Sequence, residues 1–162
     1  MIIIPSSQVI PKELTYRAGI NSDREMVVDL VHTILKEYGL VPEPDGVDSD
    51  LNAVEDSYRD GYFGVVEYAN KVVATYGLMP LNNKVVEIRK MYALPSVRGK
   101  GLGRWMVNHL LEIAKHNGYK QVELETASPL VEAIGLYQKM GFIEKDFENK
   151  TPRCNKSFYM NI

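Results

Sequence analysis

The chain has 162 residues, 45% hydrophobic and 25% charged, which is the balance of an ordinary globular protein and a length that fits one domain over 1–162. A formal net charge of −2, without any block of like charges, leaves no basic stripe for phosphate contacts, so nucleic-acid binding is not expected. Cys154 is the only cysteine and no stretch approaches the ~20 apolar residues of a membrane span, so a reducing, cytoplasmic setting with no membrane partner is expected.

Met1-Ile2-Ile3-Ile4-Pro5 is too short for a signal peptide and lacks a basic leader. Residues 13–18 place Leu14 and Tyr16 in alternation and read as a short strand. Ser22-Asp23-Arg24-Glu25 fits a capping box, with a hydroxyl at the cap and a carboxylate later in the first turn. Met26, Val27, Leu30, Val31, Ile34 and Leu35 then recur at helical spacing, and Gly39 is the stop. Residues 41–46 form a loop, and Leu51, Val54 and Tyr58 predict a second short helix from about Asp50. This loop and helix either face solvent or wall an acceptor pocket.

From Tyr62 the pattern changes. Residues 62–68, 71–78 and 85–94 are three strands joined by the turns Ala69-Asn70 and Asn82-Asn83, an antiparallel meander. Leu102, Trp105, Met106, His109, Leu110 and Ile113 mark a long amphipathic helix closed by Asn117-Gly118. A strand over 121–126, a helix over 129–140 stopped by Gly141, and strands over 142–147 and 157–162 complete a mixed α/β sheet.

The informative segment is Arg98-Gly99-Lys100-Gly101-Leu102-Gly103, between a strand and a helix start. Glycines there let a ligand approach the main chain. The first helical turn offers unpaired N–H groups at the positive end of the macrodipole, which suits a phosphate. Arg98 and Arg104 add charge beside it. A P-loop is absent, because no Lys-Ser or Lys-Thr follows a glycine pair at the required spacing. For a dinucleotide fold, Gly99 and Gly101 fit but the third glycine position falls on Arg104, and the preceding meander is antiparallel. Arg98, Gly101 and Gly103 satisfy Arg/Gln-x-x-Gly-x-Gly in full.

With the block Ala133-Ile134-Gly135-Leu136-Tyr137-Gln138-Lys139-Met140-Gly141-Phe142, a helix carrying Leu-Tyr and ending in Gly-Phe, this turn resembles the GNAT superfamily of acyl-CoA N-acyltransferases. The resemblance covers residues 15 to about 147 and is strongest from 87 through 142. It implies a mixed, mostly antiparallel twisted sheet with about four helices, splayed at the cofactor cleft. It also implies acetyl-CoA as co-substrate and no metal. Main-chain groups of Met91, Tyr92 and Ala93 would meet pantetheine, and those of Arg98, Gly99, Lys100, Gly101, Leu102, Gly103 and Arg104 the pyrophosphate. Many relatives carry an asparagine where Leu130 stands here, so no cofactor contact from that side chain is implied.

Tyr137 matches the family tyrosine that faces the coenzyme A sulfur. A thiolate near pKa ~8.5 is about 1.5 units below an ordinary tyrosine, so full proton transfer is uphill by roughly 2 kcal/mol. The expected role is a hydrogen bond to the developing thiolate. A lysine-like amine at pKa about 10.4 is neutral only about one time in a thousand at pH 7, so a base is needed. Glu87 matches the acidic base of several family members, and Glu125 is the second candidate. Alternation places Glu87 with Arg89, Met91 and Ala93 on one strand face. A backbone N–H between Met91 and Ala93 is expected to receive the oxyanion.

Arg89 beside Glu87 points to an acceptor carrying a carboxylate, an amino acid or related zwitterion, or else to a structural ion pair with Glu87 or Glu125. Tyr38 is expected to line the acceptor entrance or to cap its helix. Residues 125–129 look more like the small-molecule members than those acting on ribosomal proteins. The reading is an N-acetyltransferase acting on a small-molecule amine in a ternary complex, as a monomer or homodimer. The alternatives are a protein or peptide amine as acceptor, or a non-catalytic acyl-CoA sensor. His32 and His109 have no metal-spaced partner and read as structural.

Overall fold

The computed structural model describes residues 2–5 and 9–162. The strands are β1 (Thr15–Ala18), β2 (Tyr62–Tyr68), β3 (Lys71–Pro80), β4 (Val85–Ala93), β5 (Gln121–Thr126), β6 (Ile143–Lys145) and β7 (Lys156–Asn161). The helices are α1 (Arg24–Glu37), α2 (Val54–Ser57), α3 (Leu102–His116) and α4 (Val131–Lys139). The sheet order is β1-β2-β3-β4-β5-β7-β6. Only β4 and β5 run parallel. That pair is joined through α3, the crossover a parallel connection requires.

Helices cover both faces. On one face Val27, Leu30, Val31, Ile34 and Leu35 of α1 pack with Phe63, Val65 and Val72. On the other, Trp105, Met106, Leu110 and Ile113 of α3 pack with Val66, Tyr76, Leu78, Ile88 and Leu124. Each helix buries the apolar stripe its sequence period supplies.

Some boundaries differ from expectation. Asp23, not Ser22, stands at the cap of α1, and no side chain caps that end. The Asp23 carboxylate is held instead by both terminal nitrogens of Arg17 at 2.8 Å and by the Ile20 N–H at 2.9 Å. The second helix begins at Val54, because Ser49–Asn52 forms a 3-10 turn. β6 is shorter than its sequence pattern, covering only Ile143–Lys145.

One correction bears on the site. In β4, Arg89 pairs with Gly77 and Tyr92 with Thr75, so Lys90 and Met91 together oppose Tyr76. Lys90 adopts φ 51°, and Thr75 Oγ1 donates to its carbonyl at 2.7 Å. This bulge shifts the alternation by one residue. Glu87 and Arg89 therefore stay on the α1 face, while Met91 and Ala93 join the α3 core and Tyr92 the α1 core. The expected single face of Glu87, Arg89, Met91 and Ala93 is not formed.

Candidate active site

β4 and β5 pair from Val85 with Gln121 up to Ile88 with Leu124, and then part. Both strands continue, β4 to Ala93 and β5 to Thr126, so a wedge opens between them. Leu94 N–H donates to Val73 O at 2.9 Å on the β3 side. Alternation then turns the main chain of Met91 and Ala93 toward the wedge. The Ala93 carbonyl already accepts Arg98 Nε at 2.8 Å.

A cavity of about 340 Å³ lies at the mouth of the wedge. Glu87, Arg89, Met91, Tyr92, Glu125 and Tyr137 all line it. Helix α4 crosses from one face to the other: Leu130 at its start packs on the α1 core, and Tyr137 is buried in the α3 core. Tyr137 Oη lies 4.0 Å from Met91 Sδ. Burial raises its pKa above the ordinary tyrosine range, with the Tyr92 hydroxyl adding to the rise. That makes it a poorer acid and leaves it suited to donate a hydrogen bond.

The α1-face side of the cavity is charged. Arg89 Nε donates to Glu87 Oε1. Burial, the largest single influence, would lower the Arg89 pKa, but the Glu87 hydrogen bond and the charges of Glu87, Tyr58 and Asp50 together raise it. Glu125 is open to the cavity, and burial followed by the Glu87 charge raise its carboxyl above the ordinary range. The Cys154 thiol hydrogen-bonds that carboxylate and is itself pushed up, first by burial and then by Glu125.

A buried ion cluster forms the roof. Arg153 forks onto Asp48 at 2.7 and 2.8 Å and donates to Val41 O at 2.9 Å. Asp48 also accepts the Glu43 N–H at 2.8 Å. Lys90, on the bulge, donates to Val47 O at 2.8 Å and lies 3.3 Å from Asp48 and 3.1 Å from Asp50. Tyr58 Oη donates to the other Asp50 oxygen at 2.5 Å. Burial works against the Asp48 charge, yet the Arg153 fork, the Glu43 N–H and Lys90 hold its pKa at about 2. Sequence reasoning missed Asp48, Lys90, Arg153 and the pocket position of Cys154. The only local trace is the acidic pair Asp48 and Asp50; the partner of Asp48 lies 105 residues away.

At the other end, Gly99 (φ 75°) and Gly101 (φ 85°) adopt left-handed backbone, and a Cβ at either would meet nothing within 4 Å. Gly101 caps α3, whose first main-chain bond is Trp105 N to Gly101 O at 3.0 Å. The amides of Leu102, Gly103 and Arg104 precede that bond and have no acceptor inside the helix. This open, donor-rich turn fits a diphosphate. Arg98 is committed elsewhere: it forks onto Glu37 at 2.7 and 2.9 Å and lies over the Tyr38 ring, 5.6 Å from its centroid. Tyr38 does not line the cavity. Its hydroxyl donates to Glu132 of α4 at 3.3 Å, tying α1 to α4 beside the turn.

Residues 28–142 match the model of the acetyltransferase (GNAT) family. An uncharacterised N-acetyltransferase of Escherichia coli K12, YjgM, is 32% identical over 149 residues, with 87% of this chain and 89% of that protein covered. An acetyltransferase of the GNAT family from Staphylococcus aureus Mu50 superposes with a TM-score of 0.85 at 21% identity, covering 91% of this chain and 98% of the other. The spermidine N-acetyltransferase of Vibrio cholerae, solved with CoA and spermine, superposes with a TM-score of 0.67 at 22% identity, covering 92% and 95%.

Proposed function

This chain belongs to the acetyltransferase (GNAT) family, and from that premise we propose that it acetylates the primary amine of a small zwitterion, an amino acid or close relative, in a ternary complex. Acetyl-CoA supplies the activated acyl group. The observation that carries the reading is the wedge between β4 and β5, with the glycine turn at one end and a charged cavity at the other.

The residues divide the work by face. Amides from Gly99 to Arg104 hold the diphosphate, and the wedge-facing main chain of Met91 pairs with pantetheine and offers its N–H to the developing oxyanion. Tyr92 and Ala93 extend that wall. Tyr137, on the α3 face, donates to the sulfur as the thioester carbon–sulfur bond lengthens. Arg89, held by Glu87, and Glu125, on the α1 face, meet the acceptor.

The acceptor class rests on two side chains. Arg89 uses Nε on Glu87, and among the described residues its terminal nitrogens have no hydrogen-bond partner. That edge of the guanidinium is free to fork onto a carboxylate. Glu125 lacks a salt bridge among the described residues and offers a carboxylate to an ammonium.

Thiol release from acetyl-CoA, measured across amino acids, polyamines, aminoglycosides and peptides, tests the proposal. Arg89→Met is expected to lower kcat/KM for carboxylate-bearing acceptors by about 10–100-fold, the value of a lost charge-assisted pair, and to spare their carboxylate-free analogues. An equal fall for both classes overturns the zwitterion assignment.

A further inference from the structure

We infer that Glu125 is the group that takes the acceptor's proton, and that Glu87 instead orients Arg89. The inference rests on the acetyltransferase reading above and assigns one role within it.

Three observations carry it. First, Glu87 is already occupied: its Oε1 accepts Arg89 Nε, and its side chain is only 14% exposed. That oxygen is engaged in holding the guanidinium and is not open to an acceptor ammonium. Second, position along the wedge separates the two acids. Glu87 faces Glu123 inside the paired part of β4 and β5, whereas Glu125 lies past the last pair, Ile88 with Leu124. Glu125 therefore stands where the strands have parted and an acceptor can reach the wedge. Third, the surroundings of Glu125 favour taking up a proton. Facing it are Glu87 and Arg89 from β4, Lys145 from β6 and Cys154 from the segment before β7. Arg89 is paired with Glu87, and Lys145 is bound to Glu123 at 2.6 Å. Burial, then the Glu87 charge, raise the Glu125 carboxyl and outweigh the smaller lowering by Arg89, the Cys154 thiol and Lys145.

The step balances as follows. The acceptor ammonium gives one proton to the Glu125 carboxylate and becomes a neutral amine. Its nitrogen lone pair forms the carbon–nitrogen bond to the acetyl carbon. The carbon–sulfur bond breaks with its electron pair on sulfur, and the second nitrogen proton goes to that sulfur through the Tyr137 hydroxyl or water. Glu125 then releases its proton to solvent.

The test uses two readouts on the full chain. In the first, kcat/KM for the best amine of the panel is followed from pH 6 to 10. Glu125→Gln is expected to lose about 10²–10⁴-fold at neutral pH, the usual span of general-base catalysis, and to recover toward wild type near pH 10, where the amine is neutral unaided. Glu87→Gln is expected to raise KM for carboxylate-bearing acceptors by about 10-fold or less and to keep the wild-type pH profile. In the second, protein labelled with 13C at the glutamate carboxyls is titrated in the presence of coenzyme A, with resonances assigned from the two variants. The Glu125 carboxyl should titrate above the ordinary glutamate range. The inference is overturned if Glu87→Gln abolishes the pH limb, or if the Glu125 carboxyl titrates at or below the ordinary glutamate range. Should no amine release thiol with the wild type, the proposed acceptor range fails, and the carboxyl titration still tests the assignment of Glu125.

Discussion

Tyr137 illustrates how a single side chain is committed by its neighbours. It is 5% exposed, and its hydroxyl meets the Met91 thioether sulfur at 4.0 Å, a weak and long interaction. Its hydroxyl is therefore free for a ligand atom, and burial raises its pKa, so proton donation in the ground state is disfavoured. Tyr137→Phe should leave stability within about 0.5 kcal/mol, because no strong hydrogen bond is lost. Coenzyme A affinity by calorimetry should change by about 2-fold or less. Turnover should fall by roughly 10–100-fold, the value of a hydrogen bond to a charged group. Unchanged kcat in a folded variant would remove the tyrosine from the chemistry. The residue pattern Leu-Tyr with Gly-Phe was readable in the sequence, because it is local to one helix and its stop. The occupied state of Glu87 was not, since the alternation that places Arg89 near it does not say which partner wins.

Among elements, the turn into α3 and the bulge in β4 set the site. The glycine turn was legible because Gly99 and Gly101 do locally what no other residue does comfortably, taking φ of 75° and 85°. The bulge was not legible. Lys90 is an ordinary strand-compatible residue, and its φ of 51° is stabilised by Thr75 Oγ1 on another strand and by the roof carboxylates of Asp48 and Asp50. An alternation argument fails silently at such a point, which is why Met91 and Ala93 fell on the wrong face. The turn yields its own prediction. In Gly101→Ala the new methyl meets no protein atom within 4 Å, so the stability cost is the left-handed backbone alone, about 1–2 kcal/mol. In the proposed binding mode that methyl would instead occupy the space of the diphosphate. Coenzyme A affinity should drop by about 10-fold or more, measured by titration calorimetry on the folded variant. A variant that is destabilised yet binds coenzyme A normally would move the diphosphate away from this turn.

Across the whole molecule, the roof over the cavity is held to the sheet through Asp48. This residue joins the loop after α1, the β4 bulge through Lys90 and the segment before β7 through Arg153, and its side chain is fully buried. Contacts that span 105 residues leave no sequence period behind, so this part of the site could only be read from the fold. The electrostatics give it a signature in solution. Against the effect of burial, the Arg153 fork, the Glu43 N–H and Lys90 hold the Asp48 carboxyl at about 2 in the folded chain, below the ordinary aspartate value of about 3.9. Its contribution, roughly 2 kcal/mol, is therefore complete above about pH 5 and is lost as the pH falls through 2. Asp23, lowered first by its bond to Arg17, acts in the same direction. His109 sits higher on the scale: burial lowers its pKa from 6.5, so stability begins to fall as the pH drops below that value, before either aspartate protonates. Glu125 runs opposite, its raised pKa favouring the folded state at low pH and opposing it at neutral pH. Asp48→Asn should cost about 3–5 kcal/mol at pH 7, because Arg153 and Lys90 lose their buried counter-charge. It should also flatten the decline between about pH 4 and 2 while keeping the fall near pH 6. Urea unfolding at several pH values separates these limbs. A variant whose stability still falls in parallel with wild type below pH 4 would mean that Asp48 is not the carboxylate holding the roof.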